Sequence, residues 1–377
     1  MKWEVPFFDL DLGEEEKQAA ISVIESNWLT SGPRTEQFES AFTEKYGDDI
    51  GAVAVSSATA ALHLSLLALD IGPGDEVILP SLTFVACANV VRYLGATPVF
   101  ADISSEENWN ISPADVALKV TTRTRAVMIV HYAGYPCDMG AFTQLCEQHG
   151  LHMIEDCSHA PLGKWRGRPL GTFGDTGCFS FHSNKNMTTG EGGMLISRDQ
   201  DIVDRARKLR SHGITTSTYQ RFQGHRHGYD VVEVGYNYRI DEIRAGIGIV
   251  QLNKLPSQNR KRKVLVEQYR ELVAEELPGV AVPFKECDDE SSYHIFPVLL
   301  PGDETLRDRA LQNMAERGIQ CSVHYHPIHR FTAYKGIVTT VPLTDQIAGS
   351  LLTLPLYPSL TTGKMELVVK ELKACLP

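Results

Sequence analysis

The sequence has no uninterrupted apolar run of about eighteen residues, so no segment reads as a membrane span. Its first residues, MKWEVPFFDLDLGEEEK, contain no apolar core and turn acidic at once, which gives no signal peptide. Cysteine is scattered, not paired. Eight residues (Cys87, Cys137, Cys146, Cys157, Cys178, Cys287, Cys321 and Cys375) without a C-x-x-C read as buried or incidental thiols of a reducing cytoplasm, not a disulfide framework. Positive charge is in deficit: the formal net charge is -11 and no basic stripe offsets it, which disfavours nucleic acid and anionic membrane as partners. No G-x-G-x-x-G turn follows the first candidate strand, Ala52–Ser57, so the signature of a nicotinamide dinucleotide site is missing. The nearest thing to a metal motif is His324-x-His326-x-x-His329. Pro327 interrupts it and no carboxylate or cysteine lies close by, so no metal is expected.

What is present is an ordinary globular composition, 43% hydrophobic and 22% charged, on a 377-residue chain long enough for about two domains. Short β-branched runs at Ala52–Ser57, Glu76–Pro80, Pro98–Asp102, Ala126–His131 and His152–Asp156 alternate with stretches long enough for helices. Near-continuous apolar strands of this kind predict an α/β fold with a parallel sheet covered on both faces. Two further strands, Gly177–Phe181 and Gly193–Ser197, bracket a glycine-rich turn with no helix between them. Helices are expected over Asp241–Leu255 and Arg260–Glu276, and Pro278–Pro283 then breaks the pattern. A strand at Tyr293–Leu300, a helix near Thr305–Arg317, a strand near Gln320–His324 and a helix at Lys364–Leu376 predict a smaller α+β domain. The boundary is placed near residue 255, giving domains 1–255 and 256–377, with the N-terminal segment packing on the smaller one.

The chemistry concentrates around Lys185. It sits among small polar residues, Ser180, His182 and Gly190-Glu191-Gly192-Gly193, without the charged neighbours at helical spacing that a surface lysine would have. Glycines let a backbone approach a planar molecule closely. Upstream, Asp156 ends a candidate central strand, where open α/β sheets place their ligands. An amine with a buried carboxylate suggests pyridoxal phosphate (PLP), which needs the first for a Schiff base and the second to keep its pyridine nitrogen protonated. Asp156 read alone also fits a turn cap, and His159 fits either a ring partner or a polar loop. Ser56-Ser57-Ala58-Thr59-Ala60-Ala61 ends a strand and opens a helix; its hydroxyls and free amides suit a phosphate or serve as plain N-caps.

The motifs Ser57-Ala-Thr-Ala-Ala-Leu62, Glu155-Asp-Cys-Ser-His-Ala160, Phe179-Ser-Phe-His-Ser-Asn-Lys-Asn186, Gly190-Glu-Gly-Gly193 and Gly235-Tyr-Asn-Tyr-Arg239 occur in that order. With Trp28-Leu-Thr-Ser-Gly-Pro33 and His324-Tyr-His-Pro-Ile-His329 they span essentially the whole chain, which resembles the DegT/DnrJ/EryC1/StrS family of sugar aminotransferases. The resemblance implies fold type I of PLP-dependent transferases, a large domain with a mainly parallel seven-stranded sheet plus the smaller C-terminal domain. It implies Lys185 as the Schiff-base lysine carrying an internal aldimine, Asp156 as pyridinium partner, His159 beside the ring and Phe84 stacked on it. Phosphate would be held by Ser57, Ala58, Thr59 and Ser180, with Asn237 contributed by the second subunit of a homodimer. The loop His212–Tyr229 would cross that dimer, and Thr30, Ser31, Gly32, His182, Arg239, Tyr325, His326 and His329 would line the substrate site. Ala58 stands where the family often has Gly, and His159 where it often has Gln.

The implied reaction is transfer of an amino group from glutamate to a nucleotide-linked keto-deoxyhexose in the cytoplasm, with pyridoxamine phosphate formed during turnover. A cyclitol ketone as substrate, or a regulatory shell without catalysis, remains open at this level. Sugar dehydratases of the same family carry His where the lysine would be, so Lys185 argues against that chemistry.

Overall fold

The structure, a computed structural model, describes residues 3–216, 218–224, 228–287 and 290–376. Near the N-terminus, α1 (Glu14–Glu25) and α2 (Pro33–Tyr46) precede β1 (Gly51–Val55), α3 (Ala58–Ala68), β2 (Glu76–Pro80) and α4 (Ala86–Tyr93). Strands β3 (Thr97–Ala101), β4 (Thr124–Val130) and β5 (His152–Asp156) follow, then a two-strand ribbon, β6 (Lys164–Trp165) with β7 (Arg168–Pro169). β8 (Thr176–Ser180) and β9 (Gly193–Ser197) complete a seven-stranded sheet of order β1-β9-β8-β5-β4-β2-β3. Only β9 runs antiparallel to its neighbours; β8, β5, β4, β2 and β3 pair in parallel.

Strands such as Glu-Val-Ile-Leu-Pro in β2 and Gly-Met-Leu-Ile-Ser in β9 are buried at every position, as a sheet covered on both faces requires. One apolar core forms between the sheet and α2, helix Met139–His149 and the start of a long helix, Glu242–Glu276. The other lies under α3, α4 and helix Gln200–Leu209. Along β5 the alternation is direct: Met153 enters the first core and Ile154 the second.

The expected pair of helices around residue 255 is a single 35-residue helix, Glu242–Glu276, with Pro256 inside it. Proline removes one backbone donor from the interior. Packing on both sides outweighs that loss: Leu252 and Leu255 belong to the first sheet core, Leu265, Val266, Tyr269 and Val273 to a separate core near the C-terminus. At the first of these contacts a side chain at Gly248 would meet the Phe38 ring of α2 at 2.7 Å, so a glycine permits the close approach. The C-terminal core gathers β10 (Phe296–Leu299), antiparallel to β11 (Leu351–Leu354), and helices Glu304–Glu316 and Thr362–Lys373. Val5 joins it and bridges Ile319, so the N-terminal segment packs there. The strand expected over residues 320–324 is reduced to one bridge, Ser322 to Thr353.

Candidate active site

The carboxyl ends of β5 and β8 and the amino end of α3 bring the chemistry together. Asp156 is the last residue of β5 and 5% exposed. Its Oδ1 accepts from the Ser158 amide at 2.9 Å and its Oδ2 from the Cys87 thiol of α4 at 3.2 Å. A carboxylate has about four lone-pair positions, so two light contacts leave capacity for a further cationic donor. Lys185 lies five residues beyond β8, its amide donating to His182 O at 2.9 Å. Burial lowers its amine from the usual lysine value to about 8, against the opposing pull of Asp156 and Cys87. The next residue anchors the loop: Asn186 Nδ2 donates to Ser292 O at 2.6 Å and to Asn259 Oδ1 at 2.9 Å, while its Oδ1 meets His294 Nδ1 at 2.9 Å.

Three buried histidines border the amine. Burial and the positive charge of Lys185 hold His159 well below the ordinary histidine value. The same two causes push His324 down to about 3. His294, its centroid 4.3 Å from that of His159, is lowered by burial, then by His159 and Lys185. These rings are therefore neutral in the ordinary pH range. Tyr325 Oη lies 2.8 Å from His159 Nε2, and Phe84, 57% exposed, has its ring centroid 6.1 Å from that of Tyr325.

Beside them α3 begins. Ser57 is its N-cap, accepting from Ala60 N at 3.1 Å. The first-turn amides of Ala58 and Thr59 have no acceptor within the helix, since residues 54 and 55 belong to β1, so they remain as donors for an anion. A side chain on Gly193 would sit 2.5 Å from Ser57 C and 2.6 Å from Ala58 N; glycine there lets β9 lie directly under this helix end. Ser180 closes β8, and its Oγ accepts from His182 N at 3.4 Å.

Amine, carboxylate and anion-binding amides fit the aldehyde, ring nitrogen and phosphate of PLP, and the unpartnered Nδ1 of His159 is a buried polar atom with capacity for a ligand. A different cluster, His131, Glu155 and Cys157, has its ligand atoms within 4.8 Å of one another. Glu155 already accepts from Gly171 N, Phe173 N and Gly174 N at 2.7, 2.7 and 2.8 Å and meets His131 Nε2 at 3.1 Å. The Cys137 amide donates to His131 Nδ1. That cluster is a hydrogen-bonded knot between β5 and the segment before β8.

A profile of the DegT/DnrJ/EryC1/StrS aminotransferase family matches residues 10–373. The chain belongs to this family. Among solved structures it resembles the aminotransferase TlmJ from Streptoalloteichus hindustanus, 36% identical, with a TM-score of 0.90 over 100% of this chain and 99% of that one. It also resembles DesV from S. venezuelae, solved in complex with a ketimine intermediate: 33% identity, TM-score 0.89, coverage 99% and 98%. A third is Spr1654 from Streptococcus pneumoniae, named as a sugar aminotransferase and solved in a PLP form, with 28% identity, TM-score 0.90 and coverage of 100% and 98%. Enzymes of the family depend on PLP, and this member is a PLP-dependent aminotransferase.

Within this aminotransferase the residues expected around the substrate fall into separate places. Thr30, Ser31, Gly32 and Arg239 line a cavity of about 360 Å³ together with Arg207 and Tyr219; neither Lys185 nor Asp156 is in its wall. Ser31 Oγ donates to Ile240 O at 2.5 Å, and Gly32 N and Thr35 N donate to Glu242 Oε1 at 2.8 and 2.9 Å, which ties this turn to the start of the long helix. Asn237 is exposed on the segment whose Tyr238 carbonyl accepts from Ser56 N at 2.8 Å. His182 is exposed, facing Asn184 Oδ1 at 3.0 Å and Glu191 at 3.7 Å. His329 has both ring nitrogens engaged, by Ser81 Oγ at 2.7 Å and Asp345 Oδ1 at 3.2 Å, whereas His326 is exposed. Of the loop His212–Tyr229, residues 217 and 225–227 lie outside the described residues; Tyr219 and Phe222 pack on Trp28 of the same chain at 5.2 and 4.8 Å. Sequence reasoning did not single out Cys87, Asn186 or His294. No periodic signal marks them: Cys87 and His294 meet the site only through the order of the strands and the return of the chain, and Asn186, though next to Lys185, finds Ser292 and His294 only there.

Proposed function

We propose that this aminotransferase moves an amino group from glutamate to a nucleotide-linked keto-deoxyhexose, at a site completed by a second copy of the chain. The observation that carries the amino-transfer chemistry is the half-buried Lys185, whose amine is lowered by desolvation to about 8 against the pull of the Asp156 carboxylate. A sugar as acceptor is supported by Spr1654 being named a sugar aminotransferase. Bound at this site, PLP supplies an aldehyde that exchanges with amines and a ring that draws electrons from the reacting carbon.

The chain's own residues do the rest. Lys185 holds the aldehyde through its amine and, once released, takes and returns a proton at Nζ, for which a value near the working pH suits both directions. The Asp156 carboxylate would accept the pyridine N–H, with the Cys87 thiol and the Ser158 amide holding it in place. The Ala58 and Thr59 amides, the hydroxyls of Ser57, Thr59 and Ser180, and Asn237 of a second copy would hold the phosphate. His159 and Phe84 would flank the ring. The cavity lined by Thr30, Ser31, Gly32 and Arg239 offers polar and cationic groups for the nucleotide-sugar; His182, Tyr325, His326 and His329, outside that cavity, would face the substrate. Residues 1–255 form the cofactor-binding unit and 256–377 the smaller one, joined through the long helix.

The purified protein loaded with PLP should show the visible band of lysine-bound cofactor, and glutamate should bleach it. Keto-sugar nucleotides added afterwards should restore the band and gain an amino group by mass. Persistence of the band with every amino donor would sink the transfer reaction; restoration only by cyclitol ketones would replace the sugar.

A further inference from the structure

Asn237 lies between two tyrosines of an extended segment. Its bridge to Ser211 is flanked by His212 N donating to Tyr236 O at 2.8 Å and Tyr238 N donating to Arg210 O at 3.0 Å. Alternate residues of such a segment face opposite ways. Tyr236 and Tyr238 accordingly share one face, their rings stacked at 5.0 Å and 11°, and both pack against the core under α3. Asn237 is exposed, and its side chain has no hydrogen-bond partner among the described residues. The tyrosine face is held by His63, a residue of α3 that is 4% exposed. Its Nδ1 is 3.0 Å from Tyr238 Oη, and its ring centroid lies 4.9 Å from that of Tyr236 and 5.9 Å from that of Tyr238. Burial lowers the basicity of His63, so it meets the phenol as an uncharged hydrogen-bond partner. The first amides of the same helix, Ala58 and Thr59, face the anion site.

We propose that His63 and Tyr238 are positioning residues: by clamping the tyrosine face they fix the direction in which Asn237 leaves its own chain, and so set the PLP affinity of the second copy's site. The proposal rests on the reading of Asn237 as a phosphate ligand contributed across a homodimer. It joins the phosphate-binding helix of one site to the residue that completes the other. Neither His63 nor Tyr238 touches the cofactor in this role; both act through Asn237. Fixing the residues on either side of Asn237 removes its freedom before PLP arrives, so less order has to be imposed on binding.

Tyr238→Phe keeps the stacked ring and removes the hydroxyl; His63→Phe keeps a ring on α3 and removes the nitrogen. Equilibrium PLP titration of the cofactor-free proteins should show each weakened by roughly fivefold, the scale of one neutral hydrogen bond. The two together should lose no more than either alone, because both break the same contact, and neither should add to the loss in Asn237→Ala. The deciding sample is a mixed dimer of a Lys185→Ala chain and a Tyr238→Phe chain, co-expressed with different affinity tags. Its one lysine-bound cofactor sits on the Tyr238→Phe chain, with Asn237 supplied by an unaltered segment, and should bind with wild-type affinity. A mixed dimer as weak as the Tyr238→Phe protein would mean that Tyr238 acts on its own α3, which overturns the proposal. So does unaltered affinity in Tyr238→Phe and His63→Phe, or a loss that adds to that of Asn237→Ala. Unaltered affinity in Asn237→Ala, or no mixed dimer, would remove the shared-site reading and this proposal with it. Failure of the wild type to take up PLP would remove the cofactor reading, a result separate from the comparison of variants.

Discussion

Glu155 and Asp156 are neighbours at the end of one strand and leave it on opposite faces, into opposite circumstances. Glu155 faces the core with Met153 and Cys157, fully buried, and meets three backbone amides and a histidine. Asp156 faces the α3 and α4 side with Ile154 and meets one amide and one thiol. A carboxylate whose lone pairs are filled by its own chain holds structure together. One left underused at a strand end is available to something the chain does not contain. The contrast can be broken by exchanging the two outcomes. Glu155→Ala strands the amides of Gly171, Phe173 and Gly174 and the His131 ring, and should cost about 3–5 kcal/mol of stability, seen as a large drop in melting temperature. Asp156→Asn should leave the cofactor-free melting temperature close to wild type while weakening PLP by about 100-fold, as for removing one partner of a buried charged pair. Similar melting losses in both variants would erase the distinction.

A pH titration sharpens the same comparison. Only a neutral amine captures an aldehyde, so PLP uptake by cofactor-free protein should rise with pH through a midpoint near 8, where an ordinary lysine would need pH above about 10. Asp156 opposes the lowering of Lys185, so Asp156→Asn should move the midpoint below the wild-type value. Glu155→Gln, on the other face, should leave it in place. Rapid-mixing absorbance across pH 6 to 11 reads all three proteins, and an unmoved midpoint in Asp156→Asn would deny the coupling.

How much of this was legible in the sequence follows from the range of the interactions. The alternating strands were readable because β2, β4 and β5 are buried on both faces and so are written as apolar runs. Lys185 and Asp156 stood out because an amine in an uncharged loop and an acid at the end of an apolar strand both conflict with their surroundings. The continuity of the helix through Pro256 was not readable, since local propensity says stop and two separate cores override it. The short segment 320–324 has strand-like residues, but only Ser322 forms a bridge, to Thr353, while the Gln320 amide turns to Val5 O. The thiol of Cys87 reaches Asp156 across 69 positions and Asn186 reaches His294 across 108, distances closed only by strand order and the returning chain. Glu155 was visible only as the residue before Asp156, because the amides that define it come from a turn with no distinctive composition.

The division between structural and available groups also runs within a single side chain. Ser57 Oγ accepts the Ala60 amide, which caps α3, while its hydroxyl hydrogen remains to be given to an anion at that helix end. Two substitutions separate these uses. Alanine removes the cap and should cost about 1 kcal/mol of cofactor-free stability, whereas glycine, a tolerable N-cap, should cost only a few tenths. Both remove the hydroxyl donor, so both should weaken binding of PLP by the same factor, roughly three- to tenfold for one hydrogen bond to a charged phosphate. Melting curves and equilibrium PLP titration measure the two quantities independently. Affinity that tracked stability, low in Ser57→Ala and normal in Ser57→Gly, would mean that Ser57 matters to the cofactor only through the shape of the helix end, and the spare hydrogen would have no function there.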